Sequence, residues 1–205
     1  MRDRAIRVAV ADDESLIAAS LATLLGLEND VEVVATCGSG EELLEWLDRG
    51  EADVCVVDLM MGGIDGIETA RRIRRRQPDA GVLVVTSHGR PAQLKRALAA
   101  GVGGFLPKTA TAAEFAAAVR AVRAGRRHLD PDLAAAAITA GESPLTEREA
   151  EVLEAAGAGG SVADIARAVH LAEGTTRNYL SSAMGKVGAR NRHEAHHRAV
   201  ELGWI

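Results

Sequence analysis

Five residues that could together carry out phosphoryl transfer stand where short apolar runs of the sequence end. Asp12 and Asp13 follow the first run, Asp58 ends the third, Thr86 ends the fourth and Lys108 follows the fifth. Clustered carboxylates bind a hard cation such as Mg²⁺ through oxygen. Beside such a cation a carboxylate can attack a phosphoryl group as a nucleophile, while an ammonium and a hydroxyl group bind the phosphoryl oxygens. The set predicts a phosphoryl-transfer site with Asp58 as the nucleophile.

Taken singly, each of these residues has a simpler interpretation. An aspartate after a strand is more often a helix cap or a turn former, and a lone lysine is usually a solvated side chain. The functional hypothesis therefore depends on all five residues meeting at one edge of a sheet, which requires a specific order of strands and helices.

The first 124 residues show that order. Five β-branched, apolar runs are bounded by Asp, Gly or Pro, as buried parallel strands tend to be: Ile6–Ala11, Val31–Thr36, Val54–Asp58, Val82–Thr86 and Gly104–Leu106. Five helical patterns follow them in turn: Ser15–Leu25, Glu41–Arg49, Ile67–Arg76, Pro91–Ala100 and Ala112–Arg123. Strict alternation predicts an α/β fold with a doubly wound, five-stranded parallel sheet, whose sites form beyond the carboxyl ends of the strands.

The remaining residues have a different character. Residues 125–142 contain an Asp-Pro-Asp helix start followed by the alanine-rich Leu133–Ala140, which predicts a linker with one helix. From residue 143 to 205 three capping signatures, at Thr146–Glu149, Ser161–Asp164 and Asn191–Glu194, and a helical pattern over Glu173–Val187 predict a small all-α domain. The predicted organisation is thus residues 1–124, a linker over 125–142, and residues 143–205.

The segment Glu173–Val187 separates an apolar stripe from a polar face. Thr176, Leu180, Ala183 and Val187 recur at helical spacing and predict the buried side. The opposite side carries small polar residues and an arginine, which suits a helix that reads the major groove of DNA: Arg177, Asn178, Ser181 and Ser182. An ordinary solvated face is the alternative.

Composition and charge limit the class of protein. No apolar run is long enough to span a membrane, and the amino-terminal residues do not resemble a signal peptide. Two cysteines lie in apolar runs without metal-binding spacing, so we expect a protein of the reducing cytoplasm. The net charge is −5, yet residues 174–205 hold five Lys or Arg against two Glu, so the positive field is local and carboxy-terminal.

The segments ADDE, VVDLMMGGIDG, VVTS and GGFLPK resemble the receiver domains of two-component response regulators, whose fold is flavodoxin-like. The resemblance implies that Asp58 is phosphorylated and that Lys108 assists. It implies a Mg²⁺ site formed by Asp12, Asp13, Asp58 and the backbone carbonyl of Met60, and a switch pair formed by Thr86 and Phe105, whose ring turns inward. The sequence departs from the family at Gly62, where many members have proline, and at Pro107, where many have an apolar residue.

The segment from Pro144 to Trp204 resembles the LuxR-type helix-turn-helix. A receiver followed by this module is typical of the NarL/FixJ class, and TTRNYLSSA is similar to the DesR-like regulators. The resemblance implies that Thr175, Arg177 and Lys186 contact DNA, in addition to the polar face described above. It also implies that the last helix, through Ala195, Ala199 and Trp204, pairs DNA-binding domains.

The combined interpretation is a transcription regulator, not an enzyme, since a receiver catalyses only its own phosphorylation and dephosphorylation. A sensor histidine kinase is the expected phosphodonor, double-stranded DNA the expected target, and homodimerisation the expected result of phosphorylation. The receiver could pair through its fourth helix and fifth strand or through its first and fifth helices, and the sequence favours neither face over the other. No membrane partner is expected.

Several other interpretations compete with this one. A phosphatase or phosphotransferase acting through Asp58 typically has a second Asp two residues later, where Met60 stands. A ligand-controlled DNA-binding regulator would not need the acidic set, and an RNA-binding module does not fit the helix-turn-helix spacing. Two further motifs stand apart: RRIRRR at 71–76 is either a nucleic-acid patch or a solvated helix face, and His193, His196 and His197 are either metal ligands or solvated residues.

Overall fold

The computed structural model describes residues 4–87, 89–139 and 143–205, except for the side chain of Thr139. Contacts divide the chain into two compact units. The first comprises Met1–Gly89 and Leu94–Pro131, and the second comprises Arg90–Gln93 and Asp132–Ile205.

The first unit is built from alternating strands and helices, which confirms the predicted α/β fold. Its strands are β1 (Ile6–Ala11), β2 (Val31–Cys37), β3 (Val54–Asp58), β4 (Gly81–Thr86), β5 (Gly104–Pro107) and β6 (His128–Leu129). Its helices are α1 (Ser15–Gly26), α2 (Gly40–Leu47), α3 (Gly66–Arg76), α5 (Ala112–Arg123) and the part of α4 (Pro91–Ala99) from Leu94 onward. All strand pairs are parallel, in the order β2-β1-β3-β4-β5-β6. The strand order reverses at β1, because β2 lies on one side of β1 and β3 to β6 follow on the other side.

The sixth strand corrects the predicted number of five. The backbone N–H of His128 donates to the carbonyl of Gly103 at 3.0 Å, which adds two residues of the predicted linker to the sheet. A strand of two residues shows no periodicity, so the sequence pattern could not reveal it. The linker helix, α6, is observed at Pro131–Thr139. The predicted last helical residue, Ala140, and the rest of the linker to residue 142 lie outside the described residues.

The core of this unit lies on both faces of the sheet. All five residues of β3 are buried, from Val54 to Asp58, because helices cover the sheet on either side. The rings of Phe105 and Phe115 are among the largest fully buried side chains. Cys37 and Cys55 are both buried and unpaired, as their apolar surroundings predict.

The second unit contains α6 and four further helices, α7 (Glu147–Gly157), α8 (Val162–Ala168), α9 (Glu173–Val187) and α10 (Arg192–Glu201). Thr146 and Ser161 form the reciprocal capping boxes that the sequence predicts. At α10, Asn191 caps as predicted, but Glu194 accepts from the N–H of Arg190 at 2.9 Å instead of reaching back to Asn191. Within the described residues, no helix is long and apolar enough to cross a membrane.

Candidate functional site

The carboxyl edge of the sheet brings the predicted phosphoryl-transfer residues together. Asp12 directly follows β1, Asp58 ends β3 and Thr86 ends β4, and all three are buried. Asp13 is exposed beside them. Lys108 follows β5, and its backbone N–H donates to the carbonyl of Thr86 at 2.7 Å. Parallel register therefore produces the arrangement that the sequence predicts.

The three aspartates form a group suited to a cation. One carboxylate oxygen from each of Asp12, Asp13 and Asp58 lies within 4.8 Å of the others, and no other such acidic, histidine or cysteine group occurs within residues 4–87, 89–139 and 143–205. Oδ1 of Asp12 accepts from the N–H of Glu14 at 2.9 Å, and its buried Oδ2 lies 2.8 Å from the ammonium nitrogen of Lys108. A hard donor set made only of carboxylate oxygens fits Mg²⁺.

Lys108 places a positively charged group among the carboxylates at this edge. Its ammonium nitrogen lies 2.8 Å from Oδ2 of Asp12, 3.0 Å from Oε1 of Glu14 and 3.2 Å from Oδ2 of Asp58. Burial opposes the charge of Lys108, but its carboxylate neighbours raise the pKa of its ammonium group.

The pKa of the Asp58 carboxyl group is also raised, which for an acid disfavours the charged form. Burial is the main cause that raises its pKa, the charge of Asp12 raises it further, and Lys108 lowers it. The balance raises the pKa of Asp58 to about 6. A second positive charge at this edge would favour the ionised, nucleophilic form.

The loop after Asp58 is held close to the strand ends. The N–H of Leu59 donates to the carbonyl of Val85 at 2.8 Å, and the N–H of Gly66 donates to Leu59 at 3.0 Å. A Cβ atom at Gly66 would lie 2.2 Å from the carbonyl oxygen of Asp58, so only glycine allows this approach. The N–H of Gly62 donates to Oδ2 of Asp13 at 3.0 Å. Proline, common at this position in the family, would lack that donor.

The residues of the predicted switch pair lie on neighbouring strands. Thr86 ends β4 and is buried, and Phe105 of β5 pairs with Val84. The ring of Phe105 is only 1% exposed, so it is already buried in this structure. The inward rotation expected on phosphorylation stays a prediction.

The outer surface of α9 carries the residues predicted to contact DNA. All six are exposed: Thr175, Arg177, Asn178, Ser181, Ser182 and Lys186. The predicted stripe of Thr176, Leu180, Ala183 and Val187 is buried, so the division of the helix into two faces is confirmed.

Two of the exposed residues contact a buried acid that the sequence analysis identified only as part of a helix cap. Oε1 of Glu149 accepts from the hydroxyl of Ser182 at 2.6 Å, and Oε2 lies 2.6 Å from the ammonium nitrogen of Lys186. Glu149 is 4% exposed and also accepts from the N–H of Thr146 at 2.6 Å. Burial opposes ionisation, but these three donors lower the pKa of Glu149 to about 2. Glu149 thus connects the start of α7 to the outer turns of α9.

Glu14 is the other residue that the sequence analysis missed. Its contact with Lys108 joins positions far apart in sequence, although its place in the segment ADDE was a signal that could have found it.

The hypothesis that three histidines bind a metal gains no support. His193, His196 and His197 are not part of a metal-ligating group among the described residues, and His197 pairs with Glu201 at 3.3 Å.

Both units match known protein families. Residues 8–120 match the family described as response regulator receiver domain, and residues 143–199 match the bacterial regulatory proteins of the luxR family. DesR of Bacillus subtilis, a transcriptional regulatory protein, is 35% identical over 202 residues, covering 98% of this chain and 99% of its own. The response regulator RamR of Streptomyces coelicolor is 40% identical over 203 residues, covering 97% and 98%.

A solved structure supports the same architecture. The RcsB response regulator of Salmonella typhimurium aligns with a TM-score of 0.62, covering 97% of this chain and all of that chain, at 24% identity, which shows the fold alone. The receiver match, the luxR-family match and the full-length relatives agree with one another. The chain is therefore a transcription-regulating response regulator of the NarL/FixJ class, with a receiver domain followed by a LuxR-type helix-turn-helix domain.

Proposed function

We propose that this chain accepts a phosphoryl group on Asp58 and, once phosphorylated, binds duplex DNA as a dimer through α9. The observation that carries the first step is the position of Lys108, whose ammonium nitrogen lies 3.2 Å from Asp58 and 2.8 Å from Asp12. A carboxylate nucleophile beside a held cationic side chain suits phosphoryl transfer, because that charge meets the phosphoryl oxygens without reorganisation.

The same edge would hold Mg²⁺ through the carboxylates of Asp12, Asp13 and Asp58 and the backbone carbonyl of Met60. The three carboxylates, each with an oxygen atom within 4.8 Å of the others, support this assignment. When bound, the cation offsets the negative charge of the incoming phosphoryl group. The carboxylates of Asp12 and Asp13 would orient it, and the positive charge of Lys108 favours the ionised form of Asp58 despite burial.

A phosphohistidine of a sensor histidine kinase is the proposed donor. An oxygen of Asp58 attacks the phosphorus, the P–N bond breaks, and the imidazole leaves with its electron pair and takes a proton. Lys108 binds a phosphoryl oxygen and the Thr86 hydroxyl donates to another. Attack of water on phosphorus later restores the Asp58 carboxylate, so the chain catalyses only changes to itself.

The response is proposed to pass from Thr86 to Phe105 and then to dimerisation. Movement of Thr86 toward the phosphoryl group would alter the packing around the Phe105 ring. Two linked helix-turn-helix modules gain affinity from effective concentration, which one small module lacks. Ala195 and Ala199, which the sequence analysis expected at the contact between modules, are fully buried in the core of their own unit, so they cannot form it. The exposed Val200 and Leu202 at the end of α10 are the proposed contact instead.

The proposed DNA contacts are the exposed residues of α9: Thr175, Arg177, Asn178, Ser181, Ser182 and Lys186. Their exposure and the local excess of basic residues support this role. Because the target is chromosomal DNA, we place the protein in the bacterial cytoplasm. The proposed domain limits are 1–124 for the receiver, 125–142 for the linker and 143–205 for the DNA-binding domain.

Labelling with acetyl phosphate tests the first step. In the presence of Mg²⁺ the wild-type chain should gain one phosphoryl group by intact-mass measurement, and Asp58→Asn should gain none because the nucleophile is lost. Asp13→Ala should need more Mg²⁺, whereas Asp79→Asn, an exposed acid outside the cluster, should behave as wild type. Stoichiometric labelling of Asp58→Asn would show that the site assignment is wrong.

A further inference from the structure

A second concave site lies at the amino edge of the sheet, where β4 and β5 begin. A pocket of about 360 Å³ opens between the end of α3, the turns that precede β4 and β5, and the segment after α5. This volume is within the range of roughly 300–1,000 Å³ that is usual for small-molecule sites. The pocket is at the edge opposite Asp58 and takes no part in the function proposed above.

The pocket is strongly basic. Four arginines line it, Arg74, Arg123, Arg126 and Arg127, against the single acid Asp79. The guanidinium group of Arg74 donates to the carbonyl of Gly101 at 3.3 Å. Arg74 belongs to the run at 71–76, whereas the other three lie at the end of α5 and just after it, so the fold brings together charges that are far apart in the sequence.

The arginine charges are poorly neutralised. Arg123 is 3.7 Å from Asp53, whose closer partner is Arg7. Across the described part of the chain, Arg126 and Arg127 form no ion pair with an acidic side chain, and both are exposed. A guanidinium group that lacks a carboxylate partner can use its N–H donors to bind another anion.

The floor of the pocket is backbone because glycines line it. A Cβ at Gly81 would lie 2.4 Å from a methyl group of Val122, and Gly101, with φ of +83°, lies directly against the Arg74 side chain. Glycine at both positions allows α5 and Arg74 to approach the strand ends closely. The pocket is therefore lined partly by uncharged backbone and partly by arginine side chains.

We propose that this pocket binds a small ligand with two or more linked phosphate groups, as in a nucleoside polyphosphate. Four guanidinium groups against one carboxylate exceed what a single carboxylate ligand would neutralise, and planar guanidinium forks match phosphate oxygens. The concave shape surrounds a compact anion on several sides, whereas a nucleic-acid duplex would contact only the rim. Regulators of this class could thereby receive a second, chemical input at the edge remote from Asp58.

Calorimetric titration of the full chain with inorganic pyrophosphate tests the proposal. The buffer should lack divalent cations, so that the carboxyl-edge site is not loaded. The double variant Arg126→Gln/Arg127→Gln should weaken binding at least tenfold. The matched double variant Arg71→Gln/Arg75→Gln removes the same charge from the same unit, outside the pocket lining, and should change affinity less than twofold.

A second experiment locates the binding site at the level of single residues. In amide NMR spectra, pyrophosphate should shift the signals of Gly101, Gly103 and Gly125, with smaller changes at Asp58 and Lys108. Equal weakening by both double variants, shifts centred on Asp58, or absence of saturable binding would overturn the proposal. So would a loss of affinity for random duplex DNA in Arg126→Gln/Arg127→Gln as large as the loss for pyrophosphate, since the patch would then be a nucleic-acid contact.

Discussion

The ammonium nitrogen of Lys108 lies 3.2 Å from the carboxylate of Asp58, so a positive charge stands beside the proposed phosphoacceptor before any phosphoryl group arrives. Lys108 also contacts Asp12 and Glu14, and both groups hold it at the edge of the sheet. Even with this neighbour, burial raises the pKa of Asp58 to about 6. In the absence of a bound cation, Lys108 does not fully compensate the buried negative charge of Asp58. Ionisation of Asp58 should therefore lower the free energy of unfolding.

Asp58→Asn should stabilise the receiver unit when divalent cations are removed with EDTA. The carboxyl group has a higher pKa in the folded chain than its unfolded value, so its favourable contribution is complete below about pH 4 and is lost as pH rises through about 6. At pH 8 the variant should gain about 2–3 kcal/mol in the free energy of unfolding, since each pKa unit corresponds to about 1.4 kcal/mol.

Denaturant unfolding at several pH values provides the measurement. The gain should shrink toward zero near pH 4, where the wild-type carboxyl group is protonated. Asp79→Asn serves as the control, because Asp79 is exposed. A gain that does not depend on pH would mean that the charge of Asp58 is not its cause.

Glu149→Gln should destabilise the helical unit by about 1.5–3 kcal/mol at pH 7, because the buried side chain loses the charge that strengthens its hydrogen bonds from Ser182, Lys186 and Thr146. The pKa of Glu149 is lowered to about 2, so its contribution is present above the unfolded value near 4.3 and is lost as pH falls through about 2. The loss caused by the variant should therefore diminish in acid.

Tryptophan fluorescence can isolate this unit within the full chain. The protein has two tryptophans, and Trp204 packs against the helical core, so Trp46→Phe leaves it as the sole reporter. Glu151→Gln is the matched control on the same helix, since the ion pair of Glu151 with the exposed Arg148, at 2.7 Å, lies within α7. Equal effects of Glu149→Gln and Glu151→Gln would show that the contacts with Ser182 and Lys186 do not stabilise α9.

Arg177→Ala should weaken binding to the selected operator by about 1–3 kcal/mol if the guanidinium group contacts a base edge. Specificity should then relax at one position, as measured by competition among operator variants. A phosphate contact would instead weaken every sequence alike. Arg167→Ala, on the exposed surface of α8, is the control, and unchanged affinity of Arg177→Ala for every duplex would remove this residue from the interface.

Local signals explain why much of the fold could be predicted from the sequence. The bounds of β1, β3, α5 and α9 agree with prediction because apolar runs end sharply at Asp, Gly or capping residues. The capping boxes at Thr146 and Ser161 depend only on spacing, and both are present. The meeting of Asp12, Asp58 and Lys108 follows from parallel topology, which places the ends of the strands at one edge.

What could not be predicted depends on contacts between distant positions. Glu149 reaches Ser182 and Lys186 across more than thirty residues, and no local pattern distinguishes it from a capping glutamate. Strand β6 is defined by its pairing with β5 rather than by its own sequence. Arg74 and Arg126 share a pocket only because α3 and α5 end at the same edge of the sheet.

Sedimentation of the full chain with and without the phosphoryl mimic beryllofluoride tests the central claim most directly. With Mg²⁺ and the mimic, the wild-type chain should sediment at about twice the 21.5 kDa monomer and bind an operator with two half-sites about one helical turn apart. Asp58→Asn under the same conditions should remain monomeric and bind weakly. A wild-type chain that stays monomeric with the mimic bound, both free and on DNA, would contradict the proposal that phosphorylation of Asp58 acts through dimerisation.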